Sequence, residues 1–184
     1  MNRMKKILAG TGGSEIAEAA LVLPILFMLL LGIYWFGRAF NVYATINHAA
    51  REGARAAVAQ TCATCGGTPN LQLTPDQIAA QVKKAMQASS LDPAQVPIPS
   101  SPPTRNPCQP GGGPVSCSQP TADPHICVYY NVQLPSTAPP AGSGAPACGV
   151  SVEFQYPYQF FFPFTSLNMQ KITLNAGVQM AGEN

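Results

Sequence analysis

Residues 19–37 carry no charged side chain and consist almost wholly of Leu, Ile, Val, Phe, Met and Ala, bounded by Glu18 and Arg38. These nineteen residues, at a helical rise of about 1.5 Å each, reach roughly 28 Å, close to the ~30 Å hydrocarbon core of a bilayer. Pro24 and Gly32 do not veto a spanning helix, because backbone groups freed inside a membrane are satisfied by neighbouring helices or local adjustment. Tyr34 and Trp35 fall near the exit, where amphipathic rings prefer the headgroup level. A cleaved secretory signal peptide also places basic residues, here Arg3, Lys5 and Lys6, ahead of an apolar segment. Its apolar region would be about 7 to 15 residues long and would end at small residues, whereas this one is longer and runs into aromatic rings. The reading is an uncleaved span.

The rest of the 184 residues suffices for one small core. Charged residues make up 10% and the net charge is +2, with no basic cluster after the first six residues, so nucleic acid is not an expected partner. Six cysteines, Cys62, Cys65, Cys108, Cys117, Cys127 and Cys148, all follow the span. An even number placed so points to an oxidising compartment and up to three disulfides. Arg3, Lys5 and Lys6 before the span are nearly balanced by Arg38, Arg51 and Arg55 after it, so charge orients the chain weakly. The cysteines and the short basic tail together favour the N-terminus inside and the C-terminal part outside the cytoplasm.

Beyond the bilayer the helix is expected to continue to about residue 61. Phe40, Val42, Tyr43, Ile46, Ala49, Ala50, Gly53, Ala54 and Ala57 recur at spacings of three and four, with Arg38, Asn41, Asn47, Arg51 and Arg55 largely between them. The small residues of that face would let another element approach closely, either from the helix's own domain or from another subunit. A second helix opens at Pro75: Thr74 is a natural N-cap, Gln77 completes a capping box, and Leu73 with Ile78 stand as a hydrophobic staple. Residues 93–123, rich in Pro, Gly and Ser, read as loop. Strands are expected over 126–132, 150–160 and 171–180, the last two pairing antiparallel. Between them, residues 160–168 hold Phe160, Phe161, Phe162, Phe164 and Leu167 where polar turn residues are usual. That connection either folds onto the core or meets a membrane surface or partner. The fold class is α+β, with one long helix carrying a small domain over residues 62–184.

Candidate chemistry is sparse. Cys62 and Cys65 have the spacing of a redox pair and of half a zinc site, but no second close pair supplies the remaining ligands. His125 and Cys127 could contribute to a metal only if loops converged; structural disulfides are the preferred reading. Cys108 with Cys117 is an attractive bond because a glycine-rich turn separates them. His48 and His125, the two histidines, have no serine or cysteine motif with an identifiable base beside them, and no phosphate-cradling glycine loop is present. No enzyme activity, metal or cofactor is expected.

The run Gly13, Ser14, Glu15, Ile16, Ala17, Glu18 ahead of the apolar segment resembles the leader junction of type IV pilin-like proteins. Residues 20–24, 36–40 and the run from Ala49 through Arg51, Glu52 and Gly53 to Arg55 are similar to TadE-like proteins of the Tad/Flp tight-adherence pilus apparatus. The resemblance covers the first 60 residues firmly and the last 35 loosely. It implies cleavage by a prepilin peptidase after Gly13, removing residues 1–13, so that Ser14 begins the mature chain and Glu18 becomes its fifth residue. It further implies a single-pass minor pseudopilin of the bacterial inner membrane, whose partners are lipid, other pilin-like subunits and pilus assembly proteins. A carboxylate at the hydrocarbon edge is costly unless paired, and cleavage would create an α-ammonium one turn from Glu18 or on an adjacent subunit. The competing class is a signal-anchored periplasmic redox or binding protein acting through Cys62 and Cys65.

Overall fold

A computed structural model describes residues 12–59, 73–98, 104–108, 117, 125–134, 148–160 and 171–181. Helix α1 spans Gly12–Val58, against the expected 14–61. None of the described residues of its first half is buried, and only Leu31, Gly32 and Trp35 are partly covered; the most apolar 18-residue window has mean hydropathy 2.5 and is 0% buried within the fold. A core helix of a soluble domain would hide such a surface; by length and composition this half fits a single-pass membrane anchor. In the second half one stripe turns inward. Val42, Ile46, Ala49, Ala50, Ala54 and Ala57 are buried under α2 and the sheet, so the small-residue face packs on its own domain. Phe40 and Tyr43, expected on that face, are exposed. Phe40 lies about 120° from Ile46 at roughly 100° per residue, and Tyr43 sits on the flank of the buried stripe.

Helix α2, Pro75–Ala88, begins as its sequence dictates. The Thr74 hydroxyl accepts from the Gln77 amide at 3.4 Å, and the Gln77 side chain accepts from the Thr74 amide at 3.0 Å. Ile78, Ala79, Val82 and Met86 are its buried face, with Leu73 packed against the same core. The helix ends in a Schellman arrangement: the Leu91 amide donates to the Met86 carbonyl and the Ser90 amide to that of Gln87, both at 3.0 Å. Ser90 takes the left-handed position with φ 60°, where glycine is usual. A 3-10 turn follows at Pro93–Gln95, within the stretch expected to be loop.

Strands β1 (Cys127–Gln133), β2 (Cys148–Gln159) and β3 (Lys171–Ala181) form an antiparallel sheet in the order β1-β2-β3. The β2–β3 pairing is regular from Gly149 with Ala181 to Gln159 with Lys171. Between β1 and β2 the register shifts between Tyr129 and Val132. That gap is a bulge, with Asn131 at φ 52°, a conformation asparagine tolerates. Val150, Val152, Phe154, Tyr156 and Tyr158 are all buried on the helix-facing side, as their alternation requires. Ala176 is the buried residue of β3.

The opposite face of β1 and β2 is covered too. Cys127, Tyr129 and Val132 form a small cluster with Cys117 packed against it. Beside it the Arg105 guanidinium pairs with the Glu153 carboxylate, its Nε donating at 2.8 Å, and the Ser151 hydroxyl donates to the same oxygen at 2.7 Å. Three donors from Arg105 and Ser151, all on one oxygen of a mostly buried carboxylate, satisfy a charge that would otherwise be expensive there.

Among the described residues the disulfides are Cys108–Cys148 and Cys117–Cys127, which corrects the expected Cys108–Cys117 bond. Strand geometry is the cause. The Cys108 amide donates to the Asn131 carbonyl at 2.9 Å and the Gln133 amide to that of Asn106 at 3.0 Å. Residues 104–108 are thereby clamped to the end of β1, and Gln133 there stands opposite Cys148. Cys62 and Cys65 lie outside the described residues, as do Phe161, Phe162, Phe164 and Leu167 of the phenylalanine-rich connection.

Candidate functional site

The N-terminal turn of α1 holds the residues singled out for processing and assembly. Gly12 and Gly13 are already helical, although two consecutive glycines weaken a helix by about 1 kcal/mol each relative to alanine. Gly13 is exposed, and a Cβ there would meet nothing within 4 Å. Ser14 and Glu18 are four residues, about one helical turn, apart along this helix. Glu18 is exposed at the start of the apolar half. Gly13, Ser14 and Glu18 thus fall within two turns of one continuous helix at the start of its apolar half.

At the other edge the domain docks directly on the helix. Trp35 stacks edge-on against Tyr34 at 5.4 Å, and the Arg38 guanidinium lies 5.6 Å from the centre of the Trp35 ring, within cation–π range. The Tyr158 hydroxyl donates to the Trp35 carbonyl at 3.2 Å. Phe160 meets Tyr158 at 5.0 Å and Phe36 at 5.9 Å. The C-terminal end of β2 is therefore held at the point where the apolar half of α1 ends. This ring cluster joins residues more than a hundred positions apart, and only the aromatic character of Trp35 and Phe160 hinted at it in the sequence.

Burial raises the phenols of Tyr129, Tyr130, Tyr156 and Tyr158 above their ordinary value. At Tyr158 the Arg38 charge partly opposes that rise, and at Tyr156 a hydrogen bond to the Asp92 backbone does so. The Tyr130 hydroxyl donates to the Leu73 carbonyl at 2.6 Å, tying the entry of α2 to β1. His48 lies on the exposed face of α1 with its Nε2 4.0 Å from Glu52. The Nδ1 of His125 is buried without a hydrogen-bond partner among the described residues. Among the described residues no group of three His, Cys, Asp or Glu side chains is placed to hold a metal ion. The arrangement offers surfaces for anchoring and packing.

Residues 13–55 match the family of TadE-like proteins. The match begins at Gly13 and covers the apolar half of α1 together with most of its buried stripe, the two parts that the fold treats so differently. No curated protein and no solved structure matches the chain.

Proposed function

We propose that this chain is a membrane-anchored minor pseudopilin that takes part in assembling Tad/Flp type IV pili. The observation that carries the reading is the TadE-like match over residues 13–55 on a helix whose first half holds an apolar window with no buried residue while its second half is locked into a domain. The apolar half is a single-pass anchor in the bacterial inner membrane, with the N-terminus in the cytoplasm and the disulfide-bonded domain outside. Because the small-residue stripe is used up inside the subunit, contacts with other pilin-like helices fall on the span and on the exposed side of α1, where Tyr43, His48, Arg51 and Arg55 lie. The role is structural and involves no catalysis or cofactor. A prepilin peptidase cuts after Gly13, and Glu18 serves assembly through its carboxylate.

Purification of the tagged full-length chain from native membranes tests this. The expected result is an alkali-resistant membrane protein that brings down other pilin-like subunits and pilus assembly proteins. Recovery from the soluble periplasmic fraction, with a reactive dithiol and without those proteins, would instead favour the redox reading.

A further inference from the structure

A cleft opens where α1 leaves its apolar half and the turn after α2 comes down beside it. Two cavities of about 660 and 540 Å³ share Arg38, Val42, Ser90 and Leu91. One extends over Trp35, Asp92, Tyr156 and Tyr158, the other along Ile33, Tyr34 and Gly37. Ile33 belongs to the apolar half and Val42 to the domain-packed half, so the cleft runs about 13 Å along the helix across the level of lipid headgroups.

Its charges are arranged as a pair held apart. Arg38 and Asp92 are exposed, of opposite sign, and line the same cavity, yet no ion pair joins them among the described residues. Arg38 is exposed beside Trp35, and its guanidinium offers five N–H donors and no acceptor. The Asp92 carboxylate accepts from the Ala94 amide at 3.0 Å and the Gln95 side chain at 3.4 Å, which leaves acceptor capacity on both oxygens. Arg38 on α1 and Asp92 on the turn after α2 line the first cavity from different elements, so the cation and the anion stand on separate walls of the cleft. A bare phosphate would meet Asp92 as well as Arg38. A zwitterion with phosphate at one end and a primary ammonium at the other meets both charges favourably.

We propose that this cleft binds the headgroup of a phosphoethanolamine lipid. Arg38 takes the phosphate, Asp92 takes the ammonium, and the acyl chains descend past Tyr34 and Ile33. The ammonium must carry N–H donors to reach Asp92, so a quaternary choline head is disfavoured. A glycerol head offers Asp92 no cation. The proposal rests on reading α1 as a membrane anchor.

The test uses the full chain in nanodiscs containing equal phosphatidylethanolamine, phosphatidylcholine and phosphatidylglycerol, with the lipids retained on gentle extraction identified by native mass spectrometry. Phosphatidylethanolamine is expected to exceed each of the others by about tenfold, a difference of about 1.4 kcal/mol. Arg38→Gln should reduce retained lipid to background. Asp92→Asn, which keeps the N-cap of the following turn because asparagine caps as well as aspartate, should retain lipid but lose the preference. Both variants should melt with the wild type, and that retention pattern at unchanged melting supports the site. Displacement by millimolar inorganic phosphate would make this a phosphate site and overturn the lipid assignment. Equal retention of all three lipids by a chain that stays in the disc overturns the headgroup site and leaves the anchor standing. Release of the chain from the disc overturns the anchor reading and the cleft together.

Discussion

A Cβ at Gly53 would fall against the Cγ2 of Val82 on α2, with the Cγ1 of Val152 on β2 at 3.5 Å and the Cγ2 of Ile78 at 3.6 Å. Three elements converge on that one missing side chain. Valine there would recover about 0.4 kcal/mol of helix propensity over glycine, but overpacking a dense contact costs about 1 to 3 kcal/mol. Overpacking outweighs the propensity gain, and Gly53→Val is expected to destabilise the domain by about 1 to 2 kcal/mol. Denaturant unfolding in detergent, followed by circular dichroism, measures it; wild-type stability would mean that α1 does not approach α2 and β2 so closely. The small-residue run around Gly53 was readable in the sequence as a site of close approach. What approached was not readable, since a stripe of Ala and Gly looks the same against a neighbouring subunit as against its own domain.

Elements declared themselves where their signals are local. The capping box at Thr74 and the alternation from Val150 to Tyr158 need only adjacent residues, and α2, β2 and β3 stand where they predict. Disulfide pairing is set instead by strand register, which brings Cys148 opposite Gln133 and is invisible in the spacing of cysteines along loops. Peptide mapping under non-reducing conditions should therefore recover Cys108 linked to Cys148 and Cys117 linked to Cys127; a Cys108–Cys117 peptide would overturn the register of β1 on β2. Cys148→Ser should cost about 2 to 4 kcal/mol, because it removes the covalent tie between Cys108 and the start of β2. The sheet also sets a pH limit. Tyr129, Tyr130, Tyr156 and Tyr158 titrate above their ordinary value because burial disfavours the phenolate. The unfolded chain then releases its phenolic protons first, so stability is fully present below about pH 10 and is lost as pH rises through the raised folded values. Unfolding midpoints should fall as the pH is raised above about 10, and phenolate absorbance of the folded protein should lag behind that of the unfolded chain. Coincident titration curves would contradict the burial of these hydroxyls.

For the whole molecule the organising fact is one helix serving two solvents, and the bond proposed for cleavage lies just before its apolar half. The sequence exposed Gly13, Ser14 and Glu18 because they are neighbours; it hid the cleft at the far edge of the span, assembled from residues near positions 38, 91 and 157. In the intact chain Gly13 is helical, so a peptidase that takes its substrate extended must first open this turn. Two glycines make that opening cheaper by about 2 kcal/mol than two alanines would. Gly13→Ala, which replaces one of the two, is expected to raise the opening cost by about 1 kcal/mol and, by placing a methyl group at the scissile bond, to leave the leader with Arg3, Lys5 and Lys6 attached. Glu18 is one helical turn beyond the new terminus. Glu18→Ala should leave processing near wild type yet lower incorporation with other pilin-like subunits, because a buried ammonium deprived of its carboxylate costs several kcal/mol. N-terminal sequencing in cells holding the cognate peptidase separates the two effects, with co-purification of subunits as the second readout. A mature chain beginning at Ser14 in the wild type and the Glu18 variant, but at Met1 in the Gly13 variant, is the expected pattern. A wild-type chain that begins at Met1, or one cut near residue 57, would remove the pilin-like role and leave a plain anchor or a secreted domain.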